Sequence, residues 1–566
     1  YVELARRGFV VLAIDQPDGA NVAVIKKLAA CGALLGKEKI THSYPHDDRL
    51  KKPVIFRSTV QWFASIDKVK PQLLEAIKKV KWCNSFGEVR LTNMIASRKD
   101  WCISRQRLWG VPIPIIYTED KKPIIEKEVF DHIADLFEEY GSNVWFEREA
   151  KDLLPEGYNN PASPNGIYTK EKDIMDVWFD SGSSWNELIA RGYDYPCDLY
   201  FEGSDQYRGW FNSSLIVSVA VNGTAPYKSV LSHGYVCDSK GEAMHKSVGN
   251  VVNPLDIINK YGADIFRLWA ASEDFKADMR IGDSNLKQVS DQYRKIRNTF
   301  RFLLGVTSDF DGNLVAYENL EPIDKYMLIS LNDMLVKVKN AYDNYDFVQA
   351  TNTMTNFMTN ELSSYYCDYA KDILYCDEGE RRRQVQSVLY QAIDVLVKLW
   401  SPVLVFTTEE VYSFFRPNEN SVHYTHFPKE QTYQNSDEVK VDFAKLHVLR
   451  DAVLKALEEA RQNKTIGKSL EAHVTLNISD EDKALLEKNF KDKVNQWLIV
   501  SKVDYTSEDL PKYDDFGIKV DKVAGVVCPR CWNITDSTDP EGLCDRCKKA
   551  LAAGGSCVMI GSLVAG

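Results

Sequence analysis

No run of 18 or more apolar residues occurs in the 566-residue sequence, so no stretch is long enough to span a membrane as a helix. The opening Tyr1–Ala13 lacks a basic segment followed by a signal-like apolar run, and no secretory leader is expected there. Nor is the first residue methionine; we expect the chain to be the middle and end of a longer reading frame. Cysteine is sparse, with twelve in all. That is the reverse of the small, cysteine-dense secreted scaffolds stapled by disulfides, and a cytoplasmic location is expected. An excess of positive charge is missing too. With 70 Lys and Arg against 81 Asp and Glu the net charge is −11, which weighs against coating nucleic acid non-specifically. Local basic patches on an acidic body still suffice to meet RNA phosphates. No internal repeat or low-complexity tract is visible.

What remains is an ordinary soluble composition, 44% apolar and 27% charged, long enough for several domains that each bury a core. Residues 1–95 are mixed, with a strand-like Lys52–Phe56 and a helix-like Gln72–Lys81. Residues 96–285 alternate apolar runs with helical segments, which predicts a parallel α/β sheet. The strand-like Ser229–Val236 feeds a loop over Cys237–Val251. A helix opens behind it, with Asn253 as cap, Pro254 at the first position and Asp256 in the first turn. From 286 the pattern is helical. Leu286, Val289, Tyr293, Ile296, Phe300 and Leu303 form one stripe, and further helices are predicted over Lys325–Tyr345, Val348–Ala370 and Arg381–Phe415, the last broken at Pro402. A helical bundle over 286–435 follows, with 416–440 as a polar linker, a junction domain over 436–520, a cysteine module over 521–550 and a tail over 551–566. The fold class is thus multidomain, α/β plus all-α.

Three patterns carry chemistry. Gly241–Asn250, GEAMHKSVGN, holds Lys246 and Ser247 in a glycine-flanked loop between a strand and a helix N-terminus, a favourable place for polyphosphate. Glu202–Phe211, EGSDQYRGWF, sets a carboxylate, an acid–amide pair and two aromatics within ten residues, suited to a small polar ligand with an apolar end. Cys528-Pro-Arg-Cys531 and Cys544-Asp-Arg-Cys547 stand twelve residues apart. Such knuckles place four thiolates around one structural Zn²⁺ and leave no position for catalytic water. Arg530, Arg546, Lys548 and Lys549 surround them and are positioned to meet RNA. Arg294, Lys295, Arg297 and Arg301, with the run Arg381–Arg383, read either as RNA-facing patches or as solvated helix faces. Arg105 and Arg107 read either as phosphate contacts or as partners of acids.

In order and spacing these stretches, with DWCISRQRLWGVPIP at Asp100–Pro114 and DVWFDSG at Asp176–Gly182, resemble the class I aminoacyl-tRNA synthetases, and within them the isoleucyl branch. The resemblance implies the second half of a class I Rossmann catalytic domain over 96–285, preceded by a remnant of the editing domain. A helical anticodon-binding domain and a C-terminal zinc ribbon would follow. It implies that Lys246 stabilises the triphosphate, with Met244 and Ser247 beside ATP. Glu202, Gly203, Asp205 and Gln206 would hold isoleucyl-adenylate, and Trp178 and Trp210 would flank the isoleucine side chain. ATP with Mg²⁺, isoleucine and tRNA(Ile) are the implied partners, and a monomer is expected.

The sequence departs from the family in places. The signature Lys-Met-Ser-Lys-Ser reads Ala243-Met244-His245-Lys246-Ser247, so one cation is lost from the loop. Tyr207 stands where histidine is usual. Asp47–Leu50 and Thr118–Lys121 stand where relatives carry cysteine pairs, so no zinc is expected there. The His-Ile-Gly-His signature and the editing residues are not in this sequence. A tRNA-binding paralogue with a drifted loop, and a valyl or leucyl enzyme, are the rival readings.

Overall fold

The computed structural model describes residues 17–38, 43–47, 50–54, 59–246, 248–377, 379–545 and 547–548. It divides into two compact units, Tyr1–Lys68 with Arg98–Ser181 and Val69–Ser97 with Gly182–Gly566.

The first unit is built of short antiparallel pairs: Phe63–Ala64 with Trp101–Cys102, Ser104–Arg105 with Ile174–Met175, and Ile116–Tyr117 with Thr169–Lys170. The helix Lys127–Tyr140 repeats its apolar residues at helical spacing and buries Val129, Ile133 and Leu136 against Trp145 and Leu153. Glu171 ties the unit together. It accepts from Trp62 Nε1 at 2.9 Å, from the Tyr117 hydroxyl, and from the backbone N–H of Lys172 and Asp173. Burial pushes its pKa up, but these donors outweigh burial and the carboxyl ends below its ordinary value. Residues 98–181, read from sequence as part of one parallel sheet, thus form these antiparallel ladders instead. Lys52–Phe56 yields only the bridge Pro53 to His46, its residues 55 and 56 lying outside the described residues.

The second unit holds a parallel three-stranded sheet in the order Lys81–Trp82, Tyr227–His233, Cys197–Gly203. The central strand is buried at Val230 and Leu231, as a strand covered on both faces must be. The helix Trp210–Asn222 connects its two long strands and buries every residue from Phe211 to Val219 before Gly223 ends it in the left-handed region, φ +72°. Val69–Ser97 belongs to this sheet unit, not to an editing remnant ending at 95. The helix Lys70–Lys78 buries Leu73, Ala76 and Ile77, and Lys81–Trp82 pairs with Ser229 and Val230. The buried Asn84 side chain prolongs the ladder, donating to Ser232 O at 3.0 Å and accepting from Ser232 N at 2.8 Å.

The helical region follows as Asp283–Val306, Pro322–Asp343, Phe347–Asn356, an eleven-residue π-helix Phe357–Cys367, Asp368–Cys376, Glu380–Trp400, Val405–Phe415 and Ser436–Gln462. The predicted stripe points inward, with Leu286, Val289, Ile296, Phe300 and Leu303 all buried. The linker expected to run to 440 ends earlier, since Ser436 already starts a helix. The helix Ala263–Ser272 holds the break at Pro402 and the start of the helix after it. Buried Asp264 accepts from Thr407 N at 2.7 Å and Thr407 Oγ1 at 2.5 Å, capping Val405–Phe415. Arg267 donates to Pro402 O at 2.7 Å and Val403 O at 3.0 Å, satisfying carbonyls that the broken helix leaves free. A four-stranded sheet, ordered Lys502–Tyr505, Ala472–Asn477, Phe516–Lys522, Lys512–Tyr513, precedes the small hairpin of the cysteine module.

Candidate active site

Parallel sheets bind ligands beyond the carboxyl ends of their strands, and here those ends are Gly203 and His233, paired in register. Glu202 is exposed at the tip, its Oε2 accepting from Gly203 N at 3.3 Å. A Cβ on Gly203 would stand 2.6 Å from Asp205 Oδ1, so glycine is what lets that carboxylate fold over the strand end. Gln206 donates to Asp205 Oδ2 at 3.0 Å and accepts from Trp210 N at 2.9 Å, locking the turn into the helix. Trp210 stacks on Tyr200, centroids 4.1 Å apart at 13°, and its Nε1 donates to Ser184 Oγ at 3.2 Å. Burial pushes the Tyr200 phenol well up, which keeps it neutral. These five predicted residues therefore gather at one strand end. Tyr207 does not join them: it is fully buried among Trp82, Phe86 and Phe211, its hydroxyl 3.2 Å from Ser232 Oγ. Histidine is replaced at a packing position, not at a ligand-facing one.

The signature loop follows the short strand Val236–Cys237, which pairs with Met279–Arg280 in a two-stranded sheet of its own. Cys237 bridges Ala243, and Asp238 holds the turn between them, its Oδ1 accepting from Lys240 N and Glu242 N at 2.9 Å each. Asn250 closes the far side. Its amide donates to Asp238 Oδ2 at 3.0 Å and Ala243 O at 3.1 Å, and its Oδ1 accepts from His245 N at 2.9 Å. The Asn250 hydrogen bond, with the backbone donors, holds the Asp238 carboxyl below its ordinary range. Met244 points inward and accepts from Val252 N through sulfur at 3.3 Å, so it anchors the loop. His245 and Lys246 are exposed, and no described acid pairs with Lys246. Ser247 lies outside the described residues. The helix behind the loop starts as predicted, with Asn253 Oδ1 accepting from Leu255 N at 3.1 Å. Sequence reasoning passed over Asp238, Asn250, Tyr200 and Ser184, whose partners are revealed only by the folded turn and sheet.

Trp178 belongs to the first unit, 40% exposed on the helix Val177–Gly182. Asp176, before it, is buried and accepts from Trp101 Nε1 at 2.9 Å, Arg105 Nη2 at 2.9 Å and Trp178 N at 3.3 Å. Arg105 is thus the partner of an acid.

The four predicted cysteines converge. Their sulfurs all lie within 4.8 Å of one another, each residue buried, with Cys531 and Cys544 sulfurs 3.7 Å apart. A tetrahedral ion with bonds of about 2.3 Å needs sulfurs about 3.8 Å apart, so the donor set fits zinc. Cys544 N lies 3.5 Å from Cys528 Sγ, the kind of donor that steadies a thiolate. Among the described residues no other group of three or more such ligands appears. Arg530 faces inward, not toward RNA: it is buried and donates to Tyr375 O and Cys547 O at 3.2 Å each, pinning the module to the end of the helix Asp368–Cys376. Arg546 and Lys549 lie outside the described residues.

The basic patches are largely spent on acids. Arg297 grips Glu410 through both Nη atoms, Arg294 pairs with Asp291 at 3.0 Å, and Arg382 and Arg383 meet Asp309. Arg381 pairs with the fully buried Asp324. No described helix is long and apolar enough to cross a membrane.

A family profile described as tRNA synthetases class I (I, L, M and V) matches residues 20–282. One described as the anticodon-binding domain of tRNA ligase matches residues 324–476. The isoleucine–tRNA ligases of Bacillus cereus strain B4264 and Bacillus anthracis strain A0248 are each 51% identical over 547 residues, covering 94% of this chain and 59% of theirs. The chain therefore spans about three fifths of the length of these curated relatives. Among solved structures, the Mycobacterium tuberculosis methionyl-tRNA synthetase in complex with methionyl-adenylate covers 64% of each chain at 17% identity and a TM-score of 0.47. With half its sequence shared with isoleucine–tRNA ligases and both profiles matched in order, the chain belongs to the class I aminoacyl-tRNA synthetases, on their isoleucine branch.

Proposed function

We propose that the protein carrying this chain activates isoleucine with ATP and transfers it to tRNA(Ile), and that this chain supplies the second half of the Rossmann catalytic domain, the anticodon-binding helices and a zinc ribbon. The single observation that carries the reading is the 51% identity to isoleucine–tRNA ligases. The site is consistent with it: Glu202 stands exposed at the end of its strand, and Lys246 is exposed in the signature loop.

In this reading a carboxylate oxygen of isoleucine attacks the α-phosphorus of ATP. The bond from that phosphorus to the bridging oxygen breaks, and pyrophosphate leaves with the electron pair. A terminal ribose hydroxyl of tRNA then attacks the adenylate carbonyl and AMP departs. Both steps need positioning and charge compensation more than proton transfer from the enzyme. Glu202 and Gly203 hold the adenylate at the strand end, with Asp205 and Gln206 setting the turn. Lys246, with Met244 anchoring its loop and Ser247 following it, offsets the charge of the leaving pyrophosphate. Trp210, stacked on Tyr200 at the strand end, bounds the aliphatic side chain. Width alone separates isoleucine from valine by only ~1–3 kcal/mol. Mg²⁺ accompanies ATP as part of the substrate. Cys528, Cys531, Cys544 and Cys547 hold one Zn²⁺, whose part is to fold the ribbon.

The test is amino-acid-dependent ATP–pyrophosphate exchange with the intact polypeptide. Exchange driven by isoleucine, and far more weakly by valine or leucine, is expected. Silence with every amino acid from a folded, tRNA-binding protein would replace this reading with the tRNA-binding paralogue.

A further inference from the structure

The loop has lost a cation at Ala243, yet a cation stands beside it. Met279–Arg280 pairs in parallel with Val236–Cys237, in the register Cys237 to Arg280. Cys237 is bridged on its other side to Ala243. Positions 243, 237 and 280 therefore lie abreast, and residues paired across strands share a face. At about 4.8 Å per strand spacing, Arg280 and Ala243 stand on that face about 10 Å apart. The Arg280 side chain does not run out into solvent alone. It lies over the turn that leads into Ala243: a Cβ built on Gly241 would stand 3.0 Å from Arg280 Nε and 3.1 Å from Cζ and Nη2. Gly241 has φ +86°, so the turn demands glycine for its backbone, and the missing side chain leaves the place where the guanidinium rests. Arg280 is exposed, and no described acid pairs with it. That sets it apart from Arg294, Arg297 and Arg381–Arg383, which are all paired.

We propose that Arg280 supplies the second positive charge at the triphosphate end of the signature loop, in place of the lysine absent at 243. This deepens the proposed adenylation reading and rests on it. As the bond between the α-phosphorus and the bridging oxygen breaks, charge accumulates on pyrophosphate. Lys246 meets it from the loop tip and Arg280 from the flank of the turn. Neither gives up a proton. A planar guanidinium suits this task, since its paired N–H donors match phosphate oxygens.

The experiment is isoleucine-dependent ATP–pyrophosphate exchange on the intact polypeptide, comparing the wild type with R280Q, R280K, A243K and the double variant A243K/R280Q. Losing one preorganised donor in a closed site costs about 10²–10³-fold; for an exposed guanidinium, solvent screening reduces this to ~10–100-fold. We expect R280Q to lose that much in kcat and to raise KM for pyrophosphate, while KM for isoleucine stays within about twofold. R280K should retain most of the rate, and A243K should restore R280Q. A merely structural role for Arg280 would not be repaired by a lysine on another strand. Exchange by R280Q within twofold of the wild type, or no rescue by A243K in a protein whose thermal unfolding is unchanged, would overturn the proposal. A silent wild type would overturn the adenylation reading itself, which the two variant results leave standing.

Discussion

Replacing Arg381 by alanine should destabilise the helical region strongly and do little to any RNA contact. The side chain looks like part of a basic surface run, but it is 15% exposed, and Asp324 beside it is 0% exposed. Asp324 accepts two N–H donors from Arg381 and one from the Tyr366 hydroxyl at 2.7 Å. Two charge-assisted hydrogen bonds at ~1.5–3 kcal/mol each amount to ~3–6 kcal/mol. That agrees with the ~3–5 kcal/mol seen when one partner of a buried ion pair is removed and the other is stranded. Against a whole-domain stability of ~5–15 kcal/mol this is a large loss. Urea unfolding, with hydrogen exchange over Pro322–Asp343 and Glu380–Trp400, reads it directly. Arg301, exposed and with no described acid as partner, is the control, and Arg301→Ala should stay within ~0.5 kcal/mol. Adding Asp324→Leu to Arg381→Ala should recover most of the loss, because the stranded charge is gone. An Arg381→Ala protein within ~1 kcal/mol of the wild type, or a double variant no better than the single, would refute the reasoning.

Chelation should release one zinc per chain and raise hydrogen exchange over 526–547 and at the Tyr375–Cys376 helix end that Arg530 pins; exchange unchanged by chelator would show that metal does not hold the module. Trp210→Ala should raise KM for isoleucine by ~10–100-fold, matching the ~1.5–3 kcal/mol of a buried large apolar side chain, and an unchanged KM would remove Trp210 from the pocket. The Arg382 hydrogen bond, joined by Gln386 and Arg383, holds the Asp309 carboxyl down to about 2. Because the folded value is depressed, its stabilisation is complete above ~4 and fades as pH falls toward 2. For a pair this exposed it is worth no more than ~1 kcal/mol. Urea midpoints of wild type and Asp309→Asn should therefore converge as pH falls from ~4 to ~2, and a constant gap would count against the pair.

The local features were the legible ones. The cap at Asn253, the stripe from Leu286 to Leu303 and the cysteine knuckles are each written in residues close in sequence, and the structure places them as read. What sequence could not show is who answers whom over distance. Arg297 finds Glu410 and Arg381 finds Asp324 across 113 and 57 positions, so runs of arginine looked like free charge. Lys81–Trp82 is a strand of two residues, too short for any periodicity, and only its pairing with Ser229 and Val230 assigns it to the sheet. The π-helix Phe357–Cys367 has apolar residues that fit an ordinary helix equally well.

The clasp of Arg267 on Pro402 and Val403, with Asp264 on the helix start at Thr407, has a mechanical consequence. A proline break is where a long helix pair would flex, and here the would-be hinge is bolted to Ala263–Ser272, the second helix after the signature loop. Flexing there must first break the hydrogen bonds that Arg267 donates and Asp264 accepts. A displacement of the helical region at this joint is then carried by Ala263–Ser272 instead of being taken up at the proline.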